Sequence, residues 1–189
     1  MTNLGIMGGS FDPPHWAHLE MADRAMDVIP LDRISFIPAF RPPLNPAGAV
    51  ASPSHRLKMV ELATGQRANW EVLTYEIDQA REVPTIETLE YLRGRDQSAN
   101  HYLIIGGDQA AQFESWHHWE EILDLAEVVF FDRQRYSATK TLAARAIRLE
   151  MNRDISSSEI RAKIKLGESI DDLSPPAVLE YIATEGLYL

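Results

Sequence analysis

The chain has no cysteine among its 189 residues, so disulfides and thiolate catalysis are excluded. A reducing compartment is compatible with that, and the cytoplasm is the expected location. No apolar run approaches the roughly 20 residues of a membrane-spanning helix. The N-terminus shows no basic-then-apolar leader, so no membrane association is expected. Basic excess is missing as well: 18 Lys and Arg stand against 28 Asp and Glu, a formal net charge of −10. Duplex-binding proteins present a basic surface, so nucleic acid is not an expected partner. An anionic substrate would have to be held by a local pocket of positive groups. Repeats, low-complexity tracts and inter-domain linkers are not apparent. A hydrophobic content of 45% suffices for the core of one α/β domain over residues 1–189. Self-association is left open.

What the chain does contain is an alternation of strand and helix patterns. Apolar runs predict strands near 3–7, 33–38, 70–77, 101–105 and 127–131. Helical spacing predicts helices near 16–28, 53–64, 85–93, 108–113, 117–124, 156–166 and 175–185. Ser52 is placed to cap the second of these. Residues 137–150 carry a helical composition, while 146–151 also fit a last strand. Such alternation predicts a Rossmann-like, doubly wound parallel sheet with ligands at the strand C-terminal ends, plus a small helical C-terminal portion.

The densest chemical signal lies at the first strand-to-helix junction, Gly8-Gly9-Ser10-Phe11-Asp12-Pro13-Pro14-His15-Trp16-Ala17-His18. Glycines permit close backbone approach to an anion, and a helix N-terminus offers free N–H groups with partial positive charge. Pro13 and Pro14 fix the backbone where a missing N–H does little harm. His15 and His18, three apart, share one side of the first helical turn and can face one polyphosphate. Taken singly, each feature has a plainer meaning: a tight turn, a packed histidine beside a solvated one. Metal binding is not favoured, because no third ligand follows closely.

The run His15-Trp16-Ala17-His18 resembles the (H/T)xGH signature of the nucleotidyltransferase superfamily, with Ala17 in place of glycine. Ile155-Ser156-Ser157-Ser158-Glu159-Ile160-Arg161 is similar to its second signature, ISSTxxR, with Ser158 for threonine. Further segments occur in order: Ser54–Ala63, Thr85-Ile86-Glu87-Thr88-Leu89, Ile104–Asp108, Phe113–Trp119 and Leu179–Tyr188. Together they resemble the bacterial nicotinate-nucleotide adenylyltransferases over nearly the whole chain. That resemblance implies adenylyl transfer from ATP to nicotinate mononucleotide, with Mg²⁺ delivered on ATP. The same fold acting on nicotinamide mononucleotide or phosphopantetheine, or a non-catalytic nucleotide sensor, remains the alternative.

Residue by residue, the resemblance implies that His15, His18 and Arg161 act in catalysis, His18 against the leaving pyrophosphate. ATP would be held by Gly8, Gly9, Ser10, Phe11, His18, Gly106, Asp108, Ile155, Ser156, Ser157 and Arg161, with Asp108 on an adenosine ribose hydroxyl. Nicotinate mononucleotide would meet Ser10, Phe11, Thr85, Trp116, His117 and Arg133. Trp116 would stack on the pyridine, and Thr85 would offer its N–H to the pyridine carboxylate. Simpler roles stand beside these. Trp116 could be core, Asp108 an N-cap, Ser156 or Ser157 a cap with Glu159 completing a capping box, and Arg161 a solvated surface residue.

Two departures from the family pattern stand out. The loop Phe40-Arg41-Pro42-Pro43-Leu44-Asn45-Pro46 has Leu44 and Asn45 where a His-Lys pair is common. Arg41 is the candidate replacement charge on the phosphates. Asp132-Arg133-Gln134-Arg135 stands where an Arg-Arg-Pro-Gly type turn is common.

Overall fold

The computed structural model describes residues 1–42, 48–65, 67–132 and 137–189. Six parallel strands form one sheet: β1 (Asn3–Gly9), β2 (Arg33–Pro38), β3 (Trp70–Val72), β4 (Asn100–Gly106), β5 (Glu127–Asp132) and β6 (Ile147–Glu150). Their order is β3-β2-β1-β4-β5-β6, so the chain reverses its direction of winding between β1 and β4. At such a switch point the connections leave to opposite sides and open a crevice above the strand ends.

Alternate residues of each strand feed the two faces. Leu4, Ile6, Leu103, Ile105, Val128 and Phe130 join one core with Ile86, Leu89 and Leu92 of α4 (Thr85–Arg95). Ile122 of α6 (Trp119–Leu125) and Leu142 of α7 (Lys140–Arg145) complete that layer. Met7, Ile34, Phe36, Ile104, Val129 and Phe131 face the other way. There they meet α1 (Trp16–Val28) and α2 (Pro53–Thr64). The C-terminal helices α8 (Ser157–Lys165) and α9 (Pro176–Thr184) add two satellite clusters, α8 against Ala17 of α1 and α9 against Met59 of α2. Among the described residues no helix is long and apolar enough to cross a membrane.

Two local outcomes differ from the sequence expectations, and one ambiguity is resolved. The third strand stops at Val72 instead of continuing to residue 77, and a single helical turn, α3 (Tyr75–Asp78), follows. The neighbouring strand ends at Pro38, which has no N–H to extend the ladder. Thr74 then donates through Oγ1 to Asp78 Oδ2 at 2.7 Å, and the Asp78 N–H returns to the Thr74 carbonyl at 2.8 Å. In the ambiguous stretch 137–150 both readings are realised in succession, as α7 and β6. The helix expected near 108–113 is shorter, α5 (Gly107–Ala110), followed by a 3₁₀ turn, Phe113–Ser115.

Gly5 shows how tightly β1 is clamped between β2 and β4. A Cβ added there would lie 2.9 Å from Ile34 Cγ1, 3.1 Å from Leu31 Cδ1 and 3.2 Å from Ile104 Cδ1. At Gly8 an added Cβ would meet nothing within 4 Å. Overpacking of this kind costs about 1–3 kcal/mol, part of it offset by the loss of glycine freedom in the unfolded chain. Thermal melts should therefore show Gly5→Ala lowered by roughly 2–8 °C, with Gly8→Ala close to the wild type.

Candidate active site

A cavity of about 620 Å³ opens at the C-terminal ends of β1 and β4. Gly8, Gly9 and Ser10 leave β1 along its floor, and Gly106 and Asp108 leave β4 beside them. His15 and His18 line the same space, as do Ile155, Ser156, Ser157 and Arg161 from the distant second signature. Thr85, Trp116 and His117 form another part of the wall. The structure thus gathers nearly all the residues singled out from the sequence into one cavity.

His15 and His18 are coupled through the helix start. His15 is the N-cap of α1, with extended backbone, and its N–H donates to His18 Nδ1 at 3.2 Å. The two rings stack with centroids 3.7 Å apart. Because Nδ1 accepts, neutral His18 carries its proton on Nε2 and is a donor there. Phe11 supports the arrangement from below, its ring edge-on to His18 at 5.1 Å. Its own side chain is buried, not part of the wall, and its φ of 48° lies in the left-handed region. Ala17, the departure from glycine, is fully buried against Ile155 and Ile160. Its methyl group is absorbed in helix packing.

The second signature is fastened to the first. Ser157 Oγ donates to the Pro13 carbonyl at 2.8 Å, and Arg161 Nη1 donates to the Asp12 carbonyl at 2.7 Å. Arg161 Nη2 also reaches Ser158 Oγ at 3.2 Å, so it is no free surface cation. Ser174 Oγ reaches the Pro14 carbonyl at 2.7 Å, and the Trp16 N–H meets the Leu173 carbonyl at 3.1 Å. Ser156 is the true N-cap of α8, accepting from the Glu159 N–H at 3.2 Å. Capping and cavity lining coincide at that residue, since both use the same helix end.

At β4 the cap is not Asp108. Gly106 holds that position, and its N–H donates to Gln109 Oε1 at 3.1 Å. Asp108 is exposed, with Oδ1 at 2.8 Å from where a Gly106 Cβ would stand. Glycine at 106 is what leaves room for that carboxylate. Trp116 packs against Phe113 at 5.3 Å and also lines the cavity. Its Nε1 is buried without a hydrogen-bond partner. Thr85 opens α4 directly after Pro84, so its N–H belongs to the first, unsatisfied turn.

Among the described lining residues Arg161 is the sole Arg or Lys, in a wall that also holds Asp12, Glu76, Glu82 and Asp108. Arg41 is exposed and does not line the cavity, although its neighbour Pro42 does. Arg133, and Leu44 and Asn45 of the departing loop, lie outside the described residues. No group of three or more His, Asp or Glu is placed to hold a metal among the described residues.

Three residues that sequence reasoning passed over prove central. Asp12 is buried and accepts from the Val50 N–H (2.6 Å), the Ala51 N–H (3.0 Å) and Tyr188 Oη (2.8 Å). Burial, then the nearby Asp12 charge, drives the Tyr188 pKa upward and keeps the phenol protonated as donor. Arg56 is fully buried and donates to the carbonyls of Ala51 (3.2 Å), Ser10 (2.8 Å) and Phe40 (2.9 Å). Desolvation lowers its pKa, and the Asp12 charge opposes that. A signal for Arg56 was present: positions 56, 59, 60 and 64 share the buried face of α2. Glu76 is also buried, and its carboxyl accepts from Thr88 Oγ1 at 2.8 Å. Burial raises its pKa to about 7, the Thr88 bond holding it lower than burial alone would.

Comparisons with known proteins agree with this geometry. The cytidylyltransferase-like family matches residues 6–163. A probable nicotinate-nucleotide adenylyltransferase of Roseiflexus castenholzii is 39% identical, the match covering 97% of this chain and 96% of the relative. One from Rhodopirellula baltica is 36% identical over 98% of this chain and 92% of its own length. Among solved structures, Plasmodium falciparum nicotinic acid mononucleotide adenylyltransferase complexed with NaAD superposes with a TM-score of 0.82. That pair is 19% identical and covers 100% of this chain and 98% of the other, a likeness of fold. The ordered signatures, the sheet order and the full-length relatives lead to one conclusion: the chain belongs to the cytidylyltransferase-like family of nucleotidyltransferases.

Proposed function

We infer that this chain is a nicotinate-nucleotide adenylyltransferase, joining nicotinate mononucleotide to the AMP part of ATP with release of pyrophosphate. The observation that carries this reading is the single cavity shared by His15, His18, Ser157 and Arg161 on one side and Thr85 and Trp116 on the other. Triphosphate and pyridine ends can then be bound at once.

The acceptor phosphate attacks the α-phosphorus of ATP in line, its P–O bond forming as the bond to pyrophosphate breaks. A phosphate is already anionic at neutral pH, so no side chain has to remove a proton. Positioning two bound reactants supplies about 7–11 kcal/mol of barrier lowering in favourable cases. Free N–H groups after β1 and at the start of α8 face the anions without needing to reorganise. The tautomer set by the His15 N–H makes His18 Nε2 a donor to the developing pyrophosphate charge. Arg161, already oriented by the Asp12 carbonyl, adds a fixed cation for phosphate oxygens. Asp108 accepts from a ribose hydroxyl, and Trp116 offers its face to the pyridine. Mg²⁺ enters as part of the MgATP substrate and screens its oxygens. Among the described lining residues one arginine stands with Asp12, Glu76, Glu82 and Asp108, so Mg²⁺ on ATP would supply much of the screening. Arg41, exposed beside the cavity-lining Pro42, is the candidate for a further charge on the triphosphate from outside the wall.

In an assay of pyrophosphate release from MgATP and nicotinate mononucleotide, His18→Ala should keep its fold and lose about a hundredfold in kcat. Near-normal turnover would make the histidines structural. Arg41→Ala should raise the KM for ATP, and unchanged constants would remove that residue from the site. Tyr188→Phe deletes one of the bonds to Asp12. It should cost about 1 kcal/mol of stability by melting, with turnover reduced less than tenfold.

A further inference from the structure

Glu76 is a carboxyl in an unexpected place. Helical turn α3 carries it inward, where it is 7% exposed and lines the active-site cavity next to Val83, Pro84 and Thr85. Its partner Thr88 sits one turn beyond Thr85 on α4 and lines the same wall. The Thr88 hydroxyl donates to Oε1, which leaves Oε2 to carry a proton when the group is neutral. In the reading given above this wall receives the pyridine carboxylate, and the inference rests on that reading. An uncharged Glu76 tolerates a second carboxylate nearby, whereas an ionised one repels it through a low-dielectric wall.

We propose that Glu76 is a specificity-determining residue that makes acceptor binding pH-dependent: neutral Glu76 admits the acid mononucleotide, and ionised Glu76 rejects it. Its placement near neutrality follows from burial, with the Thr88 bond acting in the opposite direction. The charged groups around it are engaged with one another. On its own element and loop, Asp78 accepts from Thr74, and Arg81 pairs with Glu87 of α4. On the sheet side, Glu71 of β3 accepts from Ser35 and pairs with Arg33. Glu82, Asp108 and His117 line the cavity and are exposed, and Tyr75 and Tyr91 stack on each other. The causes of the Glu76 shift are desolvation and Thr88, with no charge among them. The sign follows: the carboxyl is neutral below about pH 7 and ionises above it.

The test measures kcat/KM for nicotinate mononucleotide between pH 6 and 8.5, at saturating MgATP, in the wild type and in Glu76→Gln. Gln keeps an acceptor for Thr88 and cannot ionise. Ionisations of the substrate and of groups other than Glu76 are common to both proteins and cancel in the variant-to-wild-type ratio. That ratio should be near one at pH 6 and rise about tenfold by pH 8.5, with its midpoint near 7. With nicotinamide mononucleotide, which has no pyridine carboxylate, the ratio should stay flat. A ratio that is flat for the acid, or rises equally for the amide, overturns the proposal. If Glu76→Gln does not fold, Thr88→Val serves instead. Removing the hydroxyl bond should move the inflection of the acid profile to higher pH, and an unmoved inflection overturns the proposal as well. Absence of any wild-type turnover with the acid at pH 6 would instead defeat the functional reading itself.

Discussion

A guanidinium shut away from water must find every partner within the protein, and Arg56 finds three carbonyls on three separate stretches of chain. Ser10 follows β1, Phe40 follows β2 and Ala51 precedes α2. Burying that charge is tolerable because its donors are directed at carbonyls and the Asp12 charge is nearby. Asp12 answers from the other side by gathering the backbone at Val50 and Ala51 and the Tyr188 hydroxyl. The cavity mouth is therefore held by polar bonds between loops, where the apolar core of the sheet does not reach.

Much of this architecture is written in local patterns. Apolar runs of five to seven residues mark β1, β2, β4 and β5, and helical spacing marks α1, α2 and α9, so the alternation and hence the parallel sheet follow. The lining of the cavity was legible where a residue sits at a helix start, as with His15, His18 and Ser156. Legibility failed where partners are far apart in sequence. Arg56, Asp12 and Tyr188 look like ordinary charged and aromatic residues until the fold brings 12, 56 and 188 together. At α3, β-favouring residues 70–77 suggested a longer strand, but the neighbour's Pro38 ended the ladder and local hydrogen bonds took over. Tertiary context overrode propensity there.

The balance of charge in the cavity separates binding from composition. In the proposed reaction a protein of formal charge −10 would meet anions with one arginine and two imidazoles among the described lining residues and with backbone N–H groups at the start of α8. Backbone dipoles are fixed in place and lose no side-chain entropy when a ligand arrives. Side-chain positive charge is then placed sparingly, at Arg161, where its direction is set by the Asp12 carbonyl.

The bonds from Ser157 to Pro13 and from Ser174 to Pro14 carry an implication for biogenesis. They join points 144 and 160 residues apart along the chain. All six strands lie before residue 151, so a nascent polypeptide emerges with its whole sheet before the loop after β1 gains these fastenings. The loop between β1 and α1 is then the last part of the cavity rim to be tied down, and a chain cut short after β6 lacks both ties.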